Sequence, residues 1–322
     1  MHYAIRHITR FSYDAPIRES VMEIRMQPRT ELVQRCLRFE LATQPRVHVS
    51  SYVDLMGNIV HHFDIPSEHT ELVVTAHAIV EFVGDGDLPK PASTGLDAWA
   101  EIDTAAATVD GWEMVRPSAF VRETALLQEF AESTGIDRSI DPCAAVMGLS
   151  DAVHRAFEYK THATRVDSPI DEALASRQGV CQDFAHVVIA LLRRLGIPSR
   201  YVSGYLFQAR GERSAEGATH AWVEAWLPGS GWVGLDPTSN VLAGERHVRV
   251  AIGRDYADVA PTRGVYKGAA AGTLAVAVHV SRDDLPPAST KFAPALTWTA
   301  AAPPPPPSLS SDEQQQQQQQ QQ

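Results

Sequence analysis

Three side chains far apart in the chain carry residue types that together perform nucleophilic acyl chemistry: Cys181, His220 and Asp236. Cys181 heads a run in which Phe184, Val187, Val188, Leu191, Leu192 and Leu195 recur at the spacing of one helical face. Gly196 follows as a stop, Arg193 and Arg194 fall in the last turn, and Pro198 blocks continuation. Upstream, Gly179 frees the backbone for a sharp approach. Cys181 is therefore expected at the start of a helix. Unpaired amide N–H groups and the positive end of the helix dipole favour a thiolate there, and the thiolate is the attacking form. A free cysteine is otherwise a small buried hydrophobe, so position alone leaves both readings open.

A nucleophile of this kind needs a base, and the base needs an orienting group. Thr219-His220-Ala221-Trp222-Val223-Glu224-Ala225-Trp226 alternates and is rich in aromatic and β-branched residues, which predicts a strand. Leu227 to Gly231 is turn chemistry, and Trp232 to Asp236 is the returning strand, ended by Pro237. With Leu227–Gly231 as the loop, Trp226 pairs with Trp232 and His220 with Thr238. Asp236 then lies diagonally from His220 on the same face. A loop one residue shorter reverses the parity and separates them, so the assignment assumes a register. Singly, His220 reads as a strand residue and Asp236 as a turn acid. In the order helix-start Cys, strand His, strand-end Asp, they read as the Cys-His-Asp arrangement of acyl transfer.

A tetrahedral oxyanion needs hydrogen-bond donors. The N–H of Cys181 is one candidate, and the amides of Gln178 and Gln182 are others, with loop-backbone bonding as the equal alternative for each amide. Trp222 shares parity with His220 and is a candidate to line the cleft or to sit in the core. Asp183 reads as a helix-capping acid, and His186 points away from the cysteine.

At these residues the chain resembles the bacterial transglutaminase-like family. The matching segments are Gly179-Val-Cys-Gln-Asp-Phe-Ala-His186, Gly196-Ile-Pro-Ser-Arg-Tyr-Val-Ser-Gly-Tyr205, Thr219-His-Ala-Trp-Val-Glu224 and Gly231-Trp-Val-Gly-Leu-Asp-Pro-Thr238. The resemblance implies a papain-like fold, with Cys181 as nucleophile, His220 as general base and acid, and Asp236 as orienter. It extends to Ile8-Thr-Arg-Phe-Ser-Tyr13 and Arg25-Met-Gln-Pro-Arg29, which look like the family's N-terminal β region. Ala251 to Asp258 and Pro261 to Tyr266 look like its C-terminal segment. It covers about residues 1 to 285. No acidic cluster with calcium-loop spacing is present, so neither a metal nor a cofactor is implied.

The 322 residues suit one large or two ordinary domains, and 28 basic against 39 acidic residues give a net charge of −11. That balance argues against a nucleic acid or an anionic membrane as the main partner. No stretch approaches the ~18 apolar residues that span a bilayer, and the first ten residues lack an apolar signal core. Three widely spaced cysteines, Cys36, Cys143 and Cys181, make a disulfide framework an unlikely design and a reducing cytoplasm the expected location, with a Cys36–Cys143 pair left open. His61 and His62, adjacent on a strand, point to opposite faces and do not share a metal.

The expected fold class is α+β. Residues 1–105 form an N-terminal all-β domain, a sandwich or small barrel, with a hairpin at Met56-Gly57-Asn58. Residues 84–117 lose periodicity and read as a loop junction. A helix runs from Ser118 through Ala131, another starts at Asp141-Pro142, and a short one covers Pro169 to Ser176. Residues 106–290 make the transglutaminase-like core, a Cys-bearing helix on an antiparallel sheet bearing His and Asp. Gln208 to Ala218 reads as a mobile loop bordering the cleft. The strand Leu274–Val280 closes either the N-terminal sheet or the core sheet. Residues 291–322, with five prolines at 303–307 and nine glutamines at 314–322, read as a disordered tail.

The function expected is cysteine-dependent acyl transfer on a peptide or carboxamide through a thioester. Water would resolve it in a peptidase or amidase, an amine in a transglutaminase. The alternative is a non-catalytic peptide-binding or scaffold protein on the same fold. The partner in the first case is a peptide or protein substrate.

Overall fold

The computed structural model describes residues 1–31, 33–83, 88–93, 95–207, 219–283 and 299–301. The expected cleft loop at 208–218 and the Pro/Gln tail lie outside them. In chain order the elements are β1 (His2–Ile24), β2 (Gln34–Gln44), β3 (Ser50–Val53), β4 (Ile59–Ile65) and β5 (His69–Phe82), followed by α1 (Ala98–Ala106), α2 (Val109–Val115), α3 (Ala125–Thr134) and α4 (Pro142–Ala156). Next come β6 (Glu158–Tyr159), α5 (Ile170–Ser176), β7 (Gln178–Gly179), α6 (Cys181–Arg194), β8 (Ser199–Leu206), β9 (His220–Leu227) and β10 (Gly231–Asp236). The chain continues through β11 (Val241–Leu242), β12 (His247–Gly253), α7 (Tyr256–Val259), β13 (Thr262–Lys267), β14 (Gly272–Asp283) and β15 (Thr299–Ala301).

The first sheet is organised by β1. Its first half lies between β14 and β5, with β2 beyond β5; its second half lies between β13 and β4, with β3 beyond β4. The break falls where its pairing shifts, between Ser12 and Val21. Bending one strand through two pairings folds the sheet over an apolar filling of Met22, Ile24, Met26, Phe63, Ile65, Leu72, Val74 and Ala76. The hairpin at Gly57 forms as the sequence predicts, with that glycine at φ 75°. The strand containing Leu274–Val280 joins this sheet, not the core sheet, pairing with β1 from Tyr13 back to His2. The chain thus leaves the first sheet after β5, builds the helices and the second sheet, and returns with β13 and β14.

The second sheet runs β11-β10-β9-β8-β12, all antiparallel, with α6 packed on β9 and β8. One continuous core joins the two parts. Tyr3, Ile5, Ala78, Val80 and Phe82 of the first sheet pack into the same cluster as Phe184, Val187, Val188, Leu191 and Leu192 of α6. This is the expected α+β arrangement of an N-terminal all-β region and a transglutaminase-like, papain-like core.

Two expectations between 84 and 134 give way to tertiary contacts. Residues 98–115 are helical where a loop was expected; Trp99 and Ile102 are buried, and Trp99 Nε1 donates to Ile140 O at 2.9 Å. The helix expected from Ser118 begins only at Ala125, capped by Thr124, whose hydroxyl accepts the Leu127 N–H at 3.1 Å, and it ends at left-handed Gly135. The residues before it are held by other groups. Arg193 donates to Arg116 O at 2.8 Å and to the Ser118 hydroxyl at 3.2 Å, and the Phe120 N–H reaches Asp255 Oδ2 at 2.7 Å. Those bonds outweigh the local helical preference. All three cysteines are free, so Cys36 and Cys143 are not paired.

Candidate active site

The α6 helix is anchored at both ends by the residues that flank it. At its start, the Val180 N–H donates to Asp183 Oδ2 at 2.8 Å, and the Thr164 hydroxyl donates to the same oxygen at 2.5 Å. Burial raises the Asp183 pKa against these donors. Gly179 is required by the close approach of Asp183, not by a turn: a Cβ there would meet Asp183 Cβ at 2.8 Å. At its end, the Gly196 N–H reaches Arg193 O and the Ile197 N–H reaches Leu192 O, both a two-bond closure around left-handed Gly196. Cys181 is thereby placed in the first turn, half-buried, where the first N–H groups of a helix lack intrahelical partners.

The β9–β10 pairing has the register that the sequence predicts: Trp226 opposes Trp232 and Val223 opposes Leu235. His220 and Asp236 therefore meet on one face, and His220 Nε2 donates to Asp236 Oδ2 at 2.9 Å. His220 is 3% exposed and Asp236 0%, so the ion pair is shielded from water. The other ring nitrogen, Nδ1, is buried without a hydrogen-bond partner among the described residues. The Cys181 sulfur is near enough to favour the protonated form of this ring. Burial alone would lower the His220 pKa; Asp236 and the Cys181 sulfur overcome it and raise it well above that of an ordinary imidazole. Asp236 moves the other way: burial opposes its charge, but His220 and His247 hold it far below the usual carboxylate range.

His247 carries no motif in the sequence and was not among the expected site residues. It sits at the start of β12, and its Nε2 donates to the same Asp236 Oδ2 at 3.3 Å. Asp236 Oδ1 accepts the N–H groups of Thr238 at 3.0 Å and Ser239 at 3.3 Å. The only sequence signal for His247 is a histidine at the head of a largely apolar strand, eleven residues past Asp236.

The remaining expected residues are placed as follows. Gln178 Nε2 donates to Glu158 Oε2 at 3.0 Å, and its Oε1 accepts from Lys160 Nζ at 3.1 Å, so this amide is engaged at the short β6–β7 pairing. Gln182 Nε2 donates to Val166 O at 2.9 Å, binding the 160–168 loop to the helix. Both amides thus serve loop backbone or neighbouring side chains. Trp222 is fully buried, its ring near-parallel to that of His220 at 6.2 Å, and its Nε1 has no partner among the described residues. His186 is buried away from the cysteine, accepting the Tyr256 N–H at 3.2 Å and stacked on Phe120.

His220, Asp236 and His247 bring three potential metal-ligand atoms within 4.8 Å of one another. Their hydrogen bonding is not that of a metal centre. His247 Nδ1 accepts the Gly244 N–H at 3.1 Å, so the ring proton is on Nε2, the nitrogen a metal would need bare.

Comparison with known proteins agrees with this architecture. Residues 130–237 match the transglutaminase-like superfamily core, and residues 3–81 match the bacterial transglutaminase-like N-terminal region. An uncharacterised protein of Mycobacterium leprae is 34% identical over 279 residues, covering 86% of this chain and 97% of the relative. A protein-glutamine gamma-glutamyltransferase of Pseudomonas aeruginosa is 38% identical over 98 residues, covering 27% of this chain and 14% of that protein. The crystal structure of a protein from Cytophaga hutchinsonii, described as a candidate cysteine protease, superimposes with a TM-score of 0.68 over 89% of this chain and 93% of that one, at 22% identity; this likeness speaks to the fold. The chain belongs to the bacterial transglutaminase-like family. Its coarse class is therefore that of transglutaminase-like acyl transfer.

Proposed function

We propose that this protein is a cysteine-dependent acyl-transfer enzyme acting on a peptide or carboxamide. Cys181 is the nucleophile, His220 the base and acid, and Asp236 the orienter. The observation that carries this reading is the buried 2.9 Å bond from His220 Nε2 to Asp236, which leaves Nδ1 unpaired beside the helix-start cysteine. Nδ1 already holds the thiol proton, so the resting pair is thiolate and imidazolium, and the thiolate sulfur adds to the substrate carbonyl. The tetrahedral oxyanion is met by N–H groups at the start of α6. His220 then protonates the departing nitrogen, the C–N bond breaks, and a thioester remains on Cys181. Water attacking that thioester gives a carboxylic acid; an amine gives a new amide. In either route the neutral His220 takes a proton from the attacking water or amine as the thiolate of Cys181 departs, which restores the starting pair. The amine route is supported by the name of the Pseudomonas relative, over the limited span it shares.

The test is mass spectrometry of the protein after brief incubation with a mixed peptide library and acid quench. An adduct mapped to Cys181, absent in Cys181→Ala, is expected. A wild-type chain that forms no adduct and whose Cys181 is alkylated no faster than Cys36 would refute the reading.

A further inference from the structure

The carboxylate that orients His220 is itself held from a second side. We propose that His247 is a positioning residue for this reaction: as a neutral imidazole it holds the Asp236 carboxylate so that Asp236 can hold His220. The inference rests on the function proposed above. His247 is 5% exposed and starts β12, the edge strand, across the sheet from β10. A local turn sets its ring. The His247 N–H donates to Gly244 O at 2.9 Å, and the Gly244 N–H returns to His247 Nδ1 at 3.1 Å. A backbone N–H only donates, so Nδ1 must be the acceptor and the ring proton must be on Nε2. That proton points at Asp236 Oδ2. The ring stands edge-on to Trp222 at 5.2 Å, which limits its swing.

The groups that face His247 favour the neutral form. Asp236 from β10 attracts a proton to it. Burial is the larger effect and opposes charge, reinforced by His220 of β9 and by the adjacent Arg246. A neutral donor is what the site requires here. It accepts no proton from the reaction, yet it supplies one of four hydrogen bonds that set the plane of the Asp236 carboxylate. Without it, Oδ2 keeps His220 as its one partner, the plane of the carboxylate is less firmly set, and the imidazolium that supports the thiolate is less favoured.

The experiment measures the rate of Cys181 alkylation by iodoacetamide between pH 4 and 9, read at the Cys181 peptide, in the full chain and in His247→Phe and His247→Gln. In His247→Phe the acid limb of the rate is expected to move up, with alkylation about threefold to tenfold slower below it, because the thiolate–imidazolium pair is weakened. His247→Gln keeps an N–H donor and is expected to restore most of the wild-type profile. A folded His247→Phe with an unmoved limb overturns the proposal, as does a Gln variant no better than Phe. A wild-type limb that shifts on addition of a chelator also overturns it, in favour of a metal-held carboxylate. Should the Phe variant not fold, nitrogen-15 NMR of histidine-labelled wild-type protein decides. His247 is expected neutral with the proton on Nε2 from pH 5 to 8; a charged ring at pH 6, or a proton on Nδ1, overturns the assignment. This readout does not depend on Cys181 being reactive. An ordinary thiol profile in wild type would therefore count against the acyl-transfer reading and leave the His247 assignment to NMR.

Discussion

Asn58, in the turn between β3 and β4, and Ile252 of the second sheet exchange two hydrogen bonds: Asn58 Nδ2 donates to Ile252 O, and the Ile252 N–H donates to Asn58 Oδ1, both at 2.8 Å. Gln34 does the same to Arg249, with Nε2 to the carbonyl at 2.9 Å and the backbone N–H to Oε1 at 2.8 Å. Two side-chain amides thus stand in for a missing strand along the open edge of β12. An unpaired buried backbone group is costly, so these contacts protect the edge. Asn58→Ala strands one N–H and one C=O and is expected to cost about 2–5 kcal/mol, measured by urea unfolding. A loss within 0.5 kcal/mol would mean that water replaces the amide freely.

Asp236→Asn keeps the shape of the side chain but removes its charge and permits the wrong His220 tautomer. Turnover is expected to fall about 10³- to 10⁴-fold. Alkylation of Cys181 near pH 6 should slow as well, while the melting temperature shows that the chain is folded. Turnover within tenfold of wild type would show that His220 does not depend on this carboxylate.

Acid should destabilise the fold through histidines buried in neutral form. Burial pushes His7 down to about 3 and His186 down to about 4. The unfolded chain binds protons at these sites near pH 6.5, whereas the native state does not, so stability rises with pH across this window. Each is expected to cost about 2 kcal/mol on going from pH 7 to pH 5. His220 has the opposite sign: its raised pKa adds stability that is complete below about pH 6.5 and fades at higher pH. Denaturant titrations at pH 7 and pH 5 check this, and His7→Gln should reduce the difference by about one histidine's share. Equal midpoints at both values would contradict it.

Glu224 is fully buried between Arg200 at 2.6 Å and Arg249 at 2.5 Å. The arginines hold its pKa down against burial. Glu224→Gln leaves two guanidinium groups without their anion and is expected to destabilise by about 3–5 kcal/mol, measured by chemical denaturation. A change below 1 kcal/mol would mean that solvent reaches the arginines.

The His220–Asp236 contact was readable because alternation has period two and the turn between the strands contains Gly229 and Gly231, both at positive φ. The same sequence pattern placed Cys181 on the first turn of α6, since the apolar stripe and Gly196 bracket that helix from both sides. His247 was not readable. Its role depends on β12, a strand three places removed from β10 in the sheet, which no local spacing encodes. Residues 118–124 were misread for a related reason: Arg193 holds Arg116 O and the Ser118 hydroxyl, and Asp255 holds the Phe120 N–H, all from distant parts of the chain. Gln178 and Gln182 were plausible donors on type and position, but their partners come from β6 and the 160–168 loop.

The placement of β1 between β5 and β14 has a consequence for biosynthesis. As the ribosome extends the chain, the central strand of the first sheet gains one neighbour early and must wait about two hundred residues for the other. Throughout that interval the nascent amino-terminal region exposes an unsatisfied flank, and the helices and second sheet are made while it does so. Cutting the gene after β5, or ahead of β13, therefore does not separate two modules; it removes a keystone from both.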